Sequence, residues 1–84
     1  MVIKLLGSEF TLTTANSVGG NKLVRLVNTL GTNSSLVTHK ANSTVTVGTM
    51  TIPPWTEVII EKAGTDTLET AAAGMLAVPV AYKN

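Results

Sequence analysis

Apolar and polar side chains exchange places at every second residue over most of this chain, and the 3.6-residue period of an amphipathic helix is nearly absent. Val2–Leu6 is a short apolar segment ended by Gly7. Glu9–Thr14 sets Phe10 and Leu12 on one face and Glu9, Thr11 and Thr13 on the other. Asn16–Asn21 (NSVGGN) is a loop, where Gly19-Gly20 tolerates positive φ. Lys22–Asn28 (KLVRLVN) is the best candidate for a central strand, because both of its faces carry aliphatic groups. Something beyond a second sheet should therefore cover it. Ser34–Lys40 reads as the next strand, closed by a tight connection at Ala41-Asn42.

The stretch Thr44–Lys62 (TVTVGTMTIPPWTEVIIEK) organises the rest. Val45 and Val47 share one face, whereas Met50 and Ile52 share the opposite one. A period of two cannot change parity without an inserted residue, so a bulge or bend is expected at Gly48. Pro53-Pro54 ends the strand, since neither residue can donate to a ladder. In Trp55–Lys62, Val58 and Ile60 face the core and Trp55, Glu57, Ile59 and Glu61 face away. Leu68–Gly74 (LETAAAG) has the one helix-favouring composition and predicts at most a single helical turn. Met75–Tyr82 (MLAVPVAY) is a last strand, with Leu76, Val78, Val80 and Tyr82 on one face, and Pro79 argues for an edge position.

The pattern predicts an all-β chain, a small antiparallel β-sandwich or barrel of about seven strands. Its 84 residues make one domain, 1–84. Residues 1–7 read either as an ordinary strand of that domain or as an arm that pairs with a partner sheet.

Composition changes the picture in one respect. Charged residues make up 13% of the chain, where about 25% is usual. Net charge is +1, too small to steer nucleic acid or an anionic membrane. No apolar run approaches the ~20 residues that span a bilayer. A sparsely charged, apolar chain this small cannot hide all of its apolar surface internally, so part of it should be covered by copies of itself or by another protein. The interface candidates are Val2, Ile3, Leu5, Arg25, Pro53, Pro54, Trp55, Ile59 and Tyr82. Arg25, among four aliphatic residues, either extends along its stem to solvent or reaches a carboxylate on a partner.

Candidate chemistry is sparse. There is no Cys, which removes disulfides and thiolate sites. His39 is the single His and has no acidic neighbour in sequence, so it reads as a surface strand residue. No nucleophile–base set, metal-ligand spacing or nucleotide fingerprint is present. The expectation is a non-enzyme without catalytic, metal or cofactor residues, and without nucleic-acid or membrane partners.

The runs KLVRLVNTLG, TVTVGTMTI and EVIIEKAGTDTLE, with VPVAY near the C-terminus, resemble small virion structural proteins of tailed bacteriophages, especially those of marine bacteria. The likeness covers the layout from about Lys22 onward. It implies an all-β accessory protein of a particle, localised to the virion. Within that class the expected role is capsid decoration (cement): a homo-oligomer, with a trimer favoured, bound to the major capsid protein or another virion protein. A neck, tail or baseplate accessory is the alternative. From a different class, a carbohydrate or host-surface binding module would use Trp55 and Tyr82.

Overall fold

A computed structural model describes residues 2–42, 44–71 and 74–83. Eight strands follow one another: β1 (Val2–Leu5), β2 (Phe10–Thr11), β3 (Leu23–Asn28), β4 (Ser35–Ala41), β5 (Val45–Ile52), β6 (Glu57–Glu61), β7 (Thr67–Thr70) and β8 (Met75–Lys83). A 3-10 turn, Val18–Gly20, sits in the predicted loop, with Gly19 at φ 65° and Gly20 at φ 74°. Sheet A has the order β1-β8-β3-β6, and β2 adds to β8 beyond the end of β1. Sheet B has the order β5-β4-β7. All pairings are antiparallel.

Parity explains the core. Phe10, Leu12, Val24, Leu26, Val58, Ile60, Met75 and Ala77 point inward from sheet A and the segment that leads from it. Val37, Ile52 and Leu68 meet them from sheet B. The short dimension of the molecule, 18 Å, is that of two sheets spaced ~10 Å apart with their outer side chains. The chain passes from one sheet to the other between Leu12, whose N–H donates to Met75 O at 2.7 Å, and Thr13, whose carbonyl accepts from Thr70 N–H at 3.0 Å. Asn16 and Leu68 then exchange two bonds of 3.0 Å. This crossing covers the outer edge of β7 and closes one side of the sandwich.

Pro79 stands in an interior strand, not an edge strand. β8 is flanked by β3 and by β1 and β2. The Pro79 carbonyl accepts from Leu6 N–H at 2.9 Å, so its missing N–H also points toward the β1/β2 side. There the neighbouring strand is interrupted: β1 ends opposite Val80, and β2 begins opposite Ala77. Gly7 passes the ring so closely that an added Cβ would lie 3.1 Å from Pro79 Cγ. The proline is accommodated by a gap in the adjoining strand.

Two further expectations are corrected. Leu68 lies in strand β7, paired with His39, and Thr67–Thr70 is extended because it completes sheet B; Ala72 and Ala73 lie outside the described residues. The β4–β5 register shifts between His39↔Gly48 and Lys40↔Thr46, so the extra residue is Val47, adjacent to the expected Gly48. All of β5 but Ile52 is exposed.

Candidate docking surface

The outer face of sheet A is built by register. Leu23 has Val80 on one side and Glu61 on the other, and Val80 is in turn beside Leu5. Arg25 lies between Val78 and Ile59. Val27 lies between Leu76 and Glu57. Ile3 pairs with Tyr82. Five of the interface candidates therefore share one surface: Ile3, Leu5, Arg25, Ile59 and Tyr82. Val2, one residue out of phase, belongs to the opposite face of β1. Leu5 is 70% exposed and Tyr82 41%. Leu23, Val27, Ile59 and Leu76 are half-buried. The second covering expected for β3 is thus partly supplied by its own neighbours.

Arg25 neither extends freely to solvent nor awaits a partner's carboxylate. Its Nε–H donates to Glu57 Oε2 at 2.6 Å, a second guanidinium nitrogen also contacts Glu57, and Glu9 Oε2 lies 3.5 Å away. Register puts Glu9 beside Val78, so the Arg25–Glu9 pair spans β8 above that residue, which is only 4% exposed. The pairs are partly exposed, and each contributes roughly 0.2–1 kcal/mol. Their structural effect is a largely apolar face whose single cation, Arg25, is shared between two carboxylates.

Pro53, Pro54 and Trp55 stand apart from this face, at the corner between β5 and β6. Trp55 is 70% exposed and has φ 54°, a left-handed conformation that costs an L-residue roughly 1–2 kcal/mol. Asn28 holds the corner. Its backbone N–H donates to Thr56 O at 3.1 Å, and its carbonyl accepts from Trp55 N–H at 2.8 Å. Its side-chain Nδ2 donates to Ile52 O at 2.9 Å and to Asn33 O at 3.0 Å, while Oδ1 accepts from Leu30 N–H at 3.0 Å. Asn28 is fully buried, and sequence reasoning missed it. A polar residue at the inward phase of β3, in register with Val24 and Leu26, was the available signal.

At the other end of the sandwich, His39 Nε2 lies 2.8 Å from Asp66 Oδ2, which corrects its reading as a plain surface residue. The carboxylate also accepts from Ala63 N–H at 3.3 Å. Lys62 is 4% exposed, and its Nζ donates to Ala63 O at 3.3 Å. Burial pushes the Lys62 ammonium below the usual lysine range, and the charge of Asp66 partly opposes this. The arrangement pins the turn between β6 and β7 onto β4. Among the described residues, no group of three or more His, Cys, Asp or Glu side chains is placed to hold a metal ion.

No protein-family model matches the chain, and no curated protein or solved structure is similar to it. Its role therefore has to be read from its own surfaces. A depression of about 530 Å³ on the outer face of sheet B is lined by Thr13, Thr14, Thr38 and Thr70, with Leu36 and the Lys40–Glu69 ion pair, and has no aromatic wall. Trp55 packs near Gly31, beyond the Asn28 end of β3. Tyr82 lies toward the opposite end of β8, roughly 23 Å along that strand from Met75, the residue paired with Asn28. The two aromatic side chains expected of a sugar-binding module neither meet each other nor line the depression.

Proposed function

We propose that this chain is a non-enzymatic structural protein of a phage-like virion, a capsid decoration protein that stabilises the shell by protein–protein contact. The observation that carries this reading is the exposure of nine large apolar side chains among the described residues: Val2, Leu5, Leu6, Leu36, Val45, Val47, Met50, Trp55 and Tyr82. A loose fold does not account for it. The accessible surface, 4773 Å², matches the ~4,700 Å² expected of a compact monomer of 8.7 kDa. The apolar groups occupy several surfaces: the outer face of sheet A, the Trp55 corner and strand β5. Exposure on several sides fits a protein that meets several neighbours in a lattice better than one that takes a ligand in a pocket. The resemblance to small virion proteins agrees with this, and copies or a shell protein would supply the covering.

The test is reconstitution. Particles made without this protein are mixed with the purified chain, and heat-induced release of packaged DNA is followed. The wild type should bind and raise the release temperature. Ile59→Lys, which puts an ammonium on the sheet A face at its β6 margin, beside Arg25, and Trp55→Ser should bind less. Equal binding by both variants, or no binding by the wild type, rejects the reading.

A further inference from the structure

Among the described residues, the outer edge of β7 is covered by the crossing segment at Asn16, and the uncovered edges are β1 with the two-residue β2 on one side of sheet A, β6 on its other side, and β5 in sheet B. Both edges of sheet A carry charge, which discourages a second strand from pairing. β1 contains Lys4, and β6 contains Glu57 and Glu61. β5, Val45–Ile52, is VTVGTMTI, eight residues without a charge and without a proline until Pro53. It is also exposed on both faces up to Thr51. A long, uncharged, β-branched edge presents a row of backbone donors and acceptors with nothing to repel a partner.

We propose that β5 pairs antiparallel with β5 of a second copy about a two-fold axis, joining two copies of sheet B into one six-stranded sheet. This deepens the reading above, which it rests on, by naming one of the copy-to-copy contacts. The occupant follows from the edges themselves. β5 against the charged β1 or β6 of another copy would leave Lys4 or Glu57 and Glu61 beside an apolar strand, and such a head-to-tail contact closes only when the rotation between copies completes a ring. β5 against itself closes and juxtaposes no charges. The bulge at Val47 breaks the regular run, so the straight segment is Gly48–Ile52, centred on Met50. A two-fold through Met50 sets Met50 against its own copy and Thr49 against Thr51 of the other chain. Threonine pairs and apolar pairs are both favourable cross-strand neighbours. An edge this short buries less than the ~1,200 Å² of a standard interface, so the free dimer should be weak. The high local concentration on a shell would make up the difference.

The chain has no Cys, so a single introduced thiol reports the register cleanly. Directly opposed residues have Cα atoms about 4.5–5.5 Å apart, within disulfide range. Under mild oxidation at high concentration, Met50→Cys should form a covalent dimer of twice 8.7 kDa, and Val45→Cys should not. If Met50→Cys fails to fold, Thr49→Cys/Thr51→Cys is the substitute, since it places two bridges across the same axis. In sedimentation up to several hundred micromolar, wild type should associate. Met50→Lys should remain monomeric with an unchanged circular dichroism spectrum. A wild-type monomer throughout, equal crosslinking by Val45→Cys, or association of Met50→Lys like wild type overturns the pairing. If Ile59→Lys alone abolishes association, the contact is the sheet A face instead, and the edge proposal falls while the decoration reading stands. Loss of particle binding by wild type fails that reading separately.

Discussion

Removing the Asn28 side chain should cost this protein much of its stability. The carboxamide makes three bonds, and its bond to the Ile52 carbonyl is buried. In Asn28→Ala that carbonyl is left unpaired, a loss of about 1–3 kcal/mol. The bonds to Asn33 O and Leu30 N–H are partly buried, and each adds about 0.5–1.5 kcal/mol. The sum is roughly 2–6 kcal/mol, about 4 at mid-range. Total stability for 84 residues is about 4–13 kcal/mol, so the variant approaches the folding threshold. At about 4–8 °C per kcal/mol, the mid-range loss of about 4 kcal/mol should lower the melting temperature by roughly 16–32 °C in calorimetry. Asn28→Asp sharpens the test. Its carboxylate would face two carbonyl oxygens, so its folded-state pKa should be raised above the unfolded value. The protonated acid can donate again, so the deficit should shrink as pH falls through that raised value. A loss below about 1 kcal/mol in Asn28→Ala, or no relief of Asn28→Asp in acid, would refute the assignment of Asn28 as the tie between β3, β5 and the Trp55 corner.

Trp55→Gly should change stability by less than about 1 kcal/mol in urea titration, because relief of the φ of 54° is offset by loss of the buried part of an indole that is 70% exposed; the same variant should bind particles less well. Gly48→Ala should be neutral or stabilising by up to about 1 kcal/mol, as nothing lies within 4 Å of an added Cβ. Gly64→Ala should destabilise by about 1–3 kcal/mol, as its Cβ would lie 2.9 Å from Gly20 O and the backbone must shift. Lys62→Met should be more stable than wild type near neutral pH. With the lysine pKa lowered by burial, the penalty on the charged form is fully present below the folded value and fades as pH rises toward 10.5. The melting-temperature gap between the two proteins should close over the same range.

The strands were legible because their alternation is a local property. β3, β4, β5 and β6 lie within two residues of where the pattern puts them. The bulge beside Gly48 was legible for the same reason, as a change of parity. What failed depended on neighbours distant in sequence. Pro79 looks like an edge residue until the break between β1 and β2 is seen to lie opposite it. Leu68–Gly74 has helix-favouring composition, and pairing of Leu68, Glu69 and Thr70 with β4 overrides it there. Arg25 meets Glu57 across 32 residues and His39 meets Asp66 across 27, and no spacing rule reaches that far. Among the docking candidates, Ile3, Leu5, Arg25, Ile59 and Tyr82 converge on one face, while the Pro53-Pro54-Trp55 corner forms a separate surface. Nothing in the alternation of Thr44–Ile52 showed that the strand would be exposed on both sides, since apolar alternation in a sequence ordinarily marks burial.

The most direct measurement of the central claim is the copy number of this chain in purified particles, by quantitative mass spectrometry against the major shell protein. A decoration protein should be present in fixed proportion to the shell protein and be lost together with shell reinforcement when stripped from the particle. A few copies per particle would place it at the neck or tail instead, and absence from the particle would contradict the account.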